Sequence, residues 1–416
     1  MNLLCLSNGH GEDAIAVRIL KELRQLPQAP TLRALPMVGE GGVYDRAGIT
    51  RLGPTRSMPS GGFIYMDGRQ VWGDLREGLI GLTLDQWRTI RSWAREGGKI
   101  FAVGDVVPLA LAWASGAEYV FLGTAKSQYQ LAQPTPAGAD GLPGWLGSVY
   151  FPWERWLMGH SRCQQVFVRD QRTADTLQTL GVPASYVGNP MMDGLGVNPD
   201  TLATLTATFA DFFPSLTLAL VPGSRAPEAF DNWQRILASL VSVQQVFAHR
   251  QLRLLAAIAP ALNLAVFKES LLEAGWQPQP GPYPGFRQGR HQLWLTQNAF
   301  AESLHLADAV IATAGTATEQ AVGLGKPVFT LPGKGPQFTP AFAAIQQRLL
   351  GESLTVVGQP LDLGLALQQC LGDSARLQAI AANGSDRMGS PGAARSIALA
   401  LQHWHGQPGP LPSLKP

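Results

Sequence analysis

The chain has 416 residues, with 32 Lys and Arg against 30 Asp and Glu, a formal net charge of +2. At roughly 150 residues per domain, this length predicts two or three domains. Hydrophobic residues make up 45% and charged residues 15%, which excludes a wholly disordered chain and a protein held to nucleic acid by bulk charge.

The first apolar run, Leu3–Leu6, reads as a strand. It is too short for a signal peptide and has no basic segment before it. A turn over Ser7–Gly11 and a helix from Asp13 to Leu26 follow. Ile100–Val103 is a second strand, then a helix over Pro108–Ser115 and a strand over Tyr119–Leu122. The apolar stretch Ile100–Gly123 holds Asp105, Pro108 and Glu118, residues that a membrane span avoids at mid-depth. Val166–Val168 is a strand and Arg172–Leu180 the helix after it. Alternation of this kind predicts βαβ units and a mostly parallel sheet.

The rhythm then restarts. The stretch Gly188–Asp200 is rich in Gly, Asn, Pro and Asp and reads as a linker. A second series runs Leu216–Val221 (strand), Glu228–Phe247 (helix), Leu252–Ile258 (strand) and Leu264–Ala274 (helix). It continues with the strands Gln292–Thr296 and Ala309–Ala312, the helix Thr316–Leu324 and the strands Val328–Leu331 and Thr355–Val357. Helices over Asp373–Ala382 and Ala393–Trp404 close it, before a Pro/Gly-rich tail from Gly406 to Pro416 that reads as disordered. No repeat of fixed period is present. The fold class is therefore α/β, with two Rossmann-like domains over residues 1–190 and 191–390, a helix over 391–405 that is expected to cross back to the N-terminal domain, and a tail over 406–416. Ligands bind such sheets at the carboxyl ends of the strands, so two domains facing each other would enclose a cleft.

Cys5, Cys163 and Cys370 lie far apart and form no CxxC pair. A disulfide framework and a Cys-rich zinc site are not expected. The reading is a cytoplasmic protein without a transmembrane helix.

Four turns carry the chemistry. In Ala312-Thr313-Ala314-Gly315-Thr316-Ala317-Thr318-Glu319 an apolar strand ends in small residues and a helix begins at once. The first turn of a helix offers free N–H groups and the positive end of its dipole, a site for phosphate. Hydroxyls at Thr316 and Thr318 add donors, and Glu319 can accept from two vicinal ribose hydroxyls. The plain alternative is a well-capped helix with an acidic first turn. In Val221-Pro222-Gly223-Ser224-Arg225, Gly223 lets backbone approach a ligand and Arg225 offers a bidentate grip on phosphate. Its alternative is a surface arginine beside an ordinary turn. In Ser7-Asn8-Gly9-His10-Gly11-Glu12-Asp13, His10 is suited to take a proton near neutral pH; helix capping with an incidental histidine is the alternative. The segment lacks GxGxxG, so NAD is not indicated. Asp105, past the strand Ile100–Val103, is either a carboxylate at a binding cleft or the N-cap of the next helix.

Four landmarks, the Ser7–Asp13 turn, Tyr186-Val187-Gly188-Asn189-Pro190, Leu220-Val221-Pro222-Gly223-Ser224-Arg225 and Gly315-Thr316-Ala317-Thr318-Glu319, resemble in order and approximate spacing the GT-B glycosyltransferases of the lipid-A-disaccharide synthase type. The resemblance covers most of the chain and lies nearest the lipid-A-disaccharide synthase-related group. It implies a UDP-sugar donor in the C-terminal domain, with no cofactor and no metal. Gly223, Ser224, Arg225 and the Gly315–Thr318 turn would hold the diphosphate, Glu319 the ribose and Gln337 the donor sugar. Thr296–Phe300, with Asn298, would pass beside the uracil. Asp105 matches an acidic residue of the synthase. His10 matches the histidine of a Gly-Gly-His turn in the related lipid II and galactolipid transferases, with Asn8, Gly9, Gly11 and Glu12 on the acceptor side. The chain departs from the synthase at Asn189, where a His is usual, and at His10–Asp13. The acceptor-side segment Gly61–Glu77, with Asp67, Trp72, Asp74 and Arg76, has no clear match.

The expected reaction is metal-independent, inverting transfer to a lipid-linked acceptor. His10 or Asp105 takes the proton of the attacking hydroxyl, and Arg225 with the Gly315–Thr318 helix end takes the leaving charge. A GT-B UDP-sugar epimerase and a non-catalytic nucleotide-sugar binder are the other readings. Trp145 to Met158, with Trp145, Tyr150, Phe151, Trp153 and Trp156 after a Pro/Gly loop (Gln133–Gly144), is either a membrane-surface contact or an inter-domain aromatic core.

Overall fold

The computed structural model describes residues 2–55, 79–131, 147–208, 214–333 and 338–406. They divide into two compact units, Met1–Gly194 with Ser390–Pro416, and Leu195–Gly389.

The first unit runs β1 (Asn2–Ser7), α1 (His10–Arg24), β2 (Thr31–Pro36), α2 (Gly42–Arg46), β3 (Thr50–Arg51), α3 (Leu79–Arg95), β4 (Lys99–Gly104), α4 (Val106–Ser115), β5 (Tyr119–Gly123), α5 (Pro152–Met158), β6 (Cys163–Val168), α6 (Gln171–Thr179) and β7 (Ala184–Ser185). Its strands form one parallel sheet in the order β3-β2-β1-β4-β5-β6-β7. Helices on both faces explain why Leu3, Leu4, Cys5 and Leu6 are all fully buried: a parallel strand has no solvent side and reads as a continuous apolar run.

The second unit runs α7 (Pro199–Ala207), β8 (Ser215–Val221), α8 (Glu228–Val246), β9 (Gln251–Ala257), α9 (Leu264–Glu273), β10 (Gln277–Gln279), β11 (Gly285–Gln288), β12 (His291–Thr296), α10 (Phe300–Leu306), β13 (Ala309–Ala312), α11 (Thr316–Gly323), β14 (Val328–Thr330), α12 (Pro340–Leu350), β15 (Leu354–Val356), α13 (Leu363–Leu371) and α14 (Ser374–Met388). The sheet order is β10-β11-β12-β9-β8-β13-β14-β15. Six strands are parallel, and β10 and β11 add an antiparallel edge. Trp233 of α8 packs edge-on against Phe267 of α9, with ring centroids 5.4 Å apart. Removing such a side chain from water contributes about 2–3 kcal/mol.

The last helix, α15 (Ala393–Gly406), belongs to the first unit and packs on α1. Asp193 caps it, accepting from the Ala394 N–H at 2.6 Å and from the Gly392 N–H. Lys99 Nζ donates to Trp404 O at 3.0 Å and lies 4.6 Å from that indole's centroid. The tail expected from Gly406 onward lies outside the described residues, except that Gly406 ends α15.

The structure corrects several boundaries. The Gly188–Asp200 stretch is not one linker. Asn189 caps a short 3₁₀ turn by accepting from the Met191 N–H at 3.0 Å, and Asn198 caps α7. The first unit ends at Gly194, not at residue 190. α1 begins at His10, three residues before the expected start, because Gly9 at φ 114° already closes the turn. That places Glu12 and Asp13 in the first helical turn.

Candidate functional site

In the second unit, β8 and β13 are neighbours, with Leu220 beside Ile311 and Val221 beside Ala312. β9 lies on the other side of β8, so the chain changes direction across the sheet at the β8–β13 seam. Such a switch point leaves a crevice above the carboxyl ends of the strands. Both predicted phosphate turns rise there. The Thr313 N–H donates to Val221 O at 2.9 Å. Buried Asn232 of α8 ties the turns together, its Nδ2 donating to Pro222 O at 3.1 Å and Thr313 O at 3.4 Å. Gly223 has φ 108°, and a Cβ there would stand 3.3 Å from Thr313 O. A side chain would therefore meet both a disfavoured backbone conformation and a neighbouring carbonyl.

α11 starts at Thr316 with Gly315 as N-cap, a residue with no side chain to cap the helix. Gln346 Nε2 instead donates to the carbonyls of Ala314 and Gly315, both at 3.2 Å, which holds the turn open from behind. Thr316 and Ser224 are exposed, and Gly223, Arg225, Gly315, Ala317 and Glu319 are half-buried. Thr318 departs from expectation. It is fully buried and its hydroxyl donates to Ala314 O at 2.6 Å, so its proton is committed to the helix.

Asn298 follows β12 and is exposed, with a left-handed φ of 67°. β12 stands two strands from β8, about 10 Å along the sheet at ordinary strand spacing. Thus Asn298 belongs to the same sheet end but not to the turn pair. Gln337 lies outside the described residues. The chain resumes at Phe338, whose N–H donates to Glu228 Oε1 at 2.8 Å.

In the first unit the corresponding switch point lies between β1 and β4. Asn8 is buried and Gly9, Gly11 and Glu12 follow it into α1. His10 is the first helical residue, and its side chain lies outside the described residues. Asp105 caps α4 by accepting from the Val107 N–H at 2.9 Å, so the capping alternative describes its geometry. It is also 9% exposed and beside Asn8. Burial pushes its carboxyl above the usual range, against hydrogen bonds from Val107 and Asn8 and the nearby Lys126 charge. A carboxylate with raised proton affinity suits general-base work better than an exposed one.

Sequence reasoning missed the groups on the next strand ends. Lys126, past β5, bridges both Glu154 oxygens at 2.6 and 2.7 Å, and Glu154 is 1% exposed. Arg169, past β6, donates to Thr124 O at 3.1 Å. The buried Tyr150 hydroxyl meets no hydrogen-bond partner among the described residues. Lys126 and Glu154 stand 28 positions apart, and no periodicity links them.

Asp13 is also more than a first-turn acid. It is fully buried, and accepts from the Ser7 hydroxyl at 2.5 Å, while Ser7 Oγ lies 2.6 Å from Tyr44 Oη. Burial pushes its carboxyl up to about 7, against the Ser7 hydrogen bond. The folded state therefore holds this proton more tightly than the unfolded chain does. The resulting stability is fully present below about pH 4 and lost as pH rises through about 7. Asp13→Asn, which keeps an oxygen acceptor, should raise the melting temperature at pH 8 and leave it nearly unchanged at pH 4. Equal shifts at both pH values in thermal melts would contradict the assignment.

The aromatic segment is split. Tyr150 is buried, whereas Phe151, Trp153 and Trp156 are 38%, 50% and 56% exposed on the first unit. Trp156 packs edge-on against Trp113 and His160, at 5.3 and 5.7 Å. Trp145, the loop Gln133–Gly144 and the segment Gly61–Glu77 lie outside the described residues. Among the described residues no helix is long and apolar enough to cross a membrane, and no three His, Cys, Asp or Glu side chains converge on a metal-sized site.

No family model matches the chain. It is 30% identical over 156 residues to the lipid-A-disaccharide synthase of Paraburkholderia phytofirmans, which is 36% of this chain and 35% of that protein. The corresponding enzyme of Paraburkholderia xenovorans is 31% identical over 153 residues, again 36% and 35%. The chain thus spans about a third of the length of these curated relatives. Solved structures match nearly throughout. A putative UDP-N-acetylglucosamine 2-epimerase from Listeria monocytogenes aligns with TM-score 0.57 and 15% identity over 97% of this chain and 96% of that one. The UDP-GlcNAc 2-epimerase of Neisseria meningitidis, bound to UDP-GlcNAc, aligns with 0.53 and 14% over 97% and 100%. MurG of Acinetobacter baumannii aligns with 0.55 and 12% over 97% and 99%. The fold is GT-B, and at these identities the structural likeness speaks for the fold alone.

Proposed function

We propose that the protein is a UDP-sugar-dependent glycosyltransferase acting on a lipid-linked acceptor, with the donor held by the second unit and the acceptor by the first. The observation that carries this reading is the paired turn at the β8–β13 seam. Arg225 and a helix N-terminus with glycine at its cap rise from adjacent strands, with Glu319 one turn in. Charge of that sign and geometry suits a diphosphate and its ribose.

The acceptor hydroxyl loses its proton to Asp105, with His10 as the other candidate base, and attacks the anomeric carbon. The bond from that carbon to the diphosphate oxygen breaks on the opposite face, and UDP leaves with the electron pair. Arg225 and the Gly315–Thr318 turn meet the charge that develops on the leaving group. No step requires a metal.

Exposed Trp153 and Trp156 on α5 support contact with a membrane surface at the cytoplasmic face. Trp153→Ser with Trp156→Ser should lower co-sedimentation with phosphatidylglycerol-containing vesicles several-fold, and unchanged binding would rule this surface out. The activity itself is tested by UDP release from a panel of UDP-sugars, with and without lipid extract. Release that depends on extract supports transfer. Epimerised UDP-sugar without extract supports the epimerase reading instead. UDP binding with neither outcome leaves a non-catalytic binder.

A further inference from the structure

Two buried amides, Asn232 on α8 and Gln346 on α12, grip the turns after β8 and β13. Asn232 Nδ2 donates to Pro222 O at 3.1 Å and to Thr313 O at 3.4 Å. Gln346 Nε2 donates to Ala314 O and Gly315 O, both at 3.2 Å. One carbonyl after β8 and three successive carbonyls after β13 are thus held by side chains from other helices. Their partners fix how the amides face, since exchanging oxygen and nitrogen would set an acceptor against two carbonyls. Gln346 keeps this orientation although its own Oε1 is buried with no partner among the described residues, an arrangement that costs stability. A trans peptide is planar and carries its C=O and the following N–H on opposite sides. Drawing the carbonyls of Pro222, Thr313, Ala314 and Gly315 toward the amides therefore turns the N–H groups of Gly223, Ala314, Gly315 and Thr316 away from them. No backbone carbonyl among the described residues accepts from any of the four.

We propose that Asn232 and Gln346 are positioning residues for a diphosphate, each holding turn carbonyls back so that the N–H groups of the same peptides face the ligand. This rests on the reading of the paired turns as the UDP site. Neither amide touches the ligand; both act through the backbone they hold. Successive N–H groups presented in this way suit an anion. Donors already in place need no reordering when the ligand arrives, so loosening them costs affinity. Thr318 supports the same arrangement, its hydroxyl donating to Ala314 O at 2.6 Å from within α11.

The test compares two probes on the full chain, UDP by calorimetry and uridine by saturation-transfer NMR, which reads weak ligands. Asn232→Ala and Gln346→Met should each weaken UDP about tenfold, the scale of one net hydrogen bond. Uridine affinity should stay within about twofold, because uridine has no diphosphate to meet the turns. A merely structural role would lower both affinities together. The two residues sit on different helices, so if one variant misfolds the other decides. Folded variants that bind UDP as the wild type does, or that lose UDP and uridine in equal proportion, overturn the proposal. Failure of both variants to fold also overturns it, by making the amides part of the fold alone. A wild type that binds neither probe would instead sink the donor reading on which the proposal rests.

Discussion

Asp105→Asn is expected to lower transfer roughly 10²- to 10⁴-fold, the usual contribution of a positioned general base. UDP affinity should stay at the wild-type value, because Asp105 and the proposed donor turns belong to different units. The substitution is clean. Asn is as good an N-cap as Asp, so the Val107 hydrogen bond and the start of α4 survive. Loss of turnover with an unchanged melting temperature would therefore report on the proton and not on the fold. The measurement is UDP release in the presence of lipid extract. Undiminished release would move the role to His10.

Arg225→Ala should weaken UDP binding about 10- to 100-fold, since a charge-assisted hydrogen bond is worth about 1.5–3 kcal/mol. Arg225→Lys should recover only part of this, because an ammonium cannot reproduce the planar two-pronged grip. The backbone at this turn is held by Gly223 and Asn232, so the variant should fold normally. Equal affinity in Arg225→Ala and wild type, measured by fluorescence competition or calorimetry, would remove Arg225 from the site.

The strands with continuous apolar runs were legible residue by residue. Ala309–Ala312 agrees with the structure at both ends, and Leu216–Val221 and Gln292–Thr296 to within one residue. A parallel strand buried on both faces has little choice but to be apolar. The turns after β8 and β13 were legible for the same reason: glycine stands where backbone must crowd backbone. Less local features were not. The sequence carries no clear signal for α12 and α13, since short amphipathic helices between turns look like loops until something packs on them. α14 runs to Met388, six residues past the expected Ala382, because Gly384 sits against the Val322 carbonyl where no side chain would fit. At the candidate site, the sequence reading found the residues that border the switch points. It misjudged Thr318, whose hydroxyl turned inward to its own helix. It could not reach the Lys126–Glu154 pair or the Ser7–Asp13–Tyr44 chain, which join residues 28 and 37 positions apart at their widest. Such pairings are set by tertiary packing and leave no spacing to read.

The most direct test of the account is calorimetric titration of UDP into the wild-type protein and Glu319→Ala. Saturable binding is expected in the wild type and its loss in the variant, with the wild-type melting temperature rising as UDP is added. At 100 times the dissociation constant the added stability is about 2.7 kcal/mol. No binding of UDP to the wild type at millimolar concentration would contradict the account and leave the GT-B fold with a different ligand.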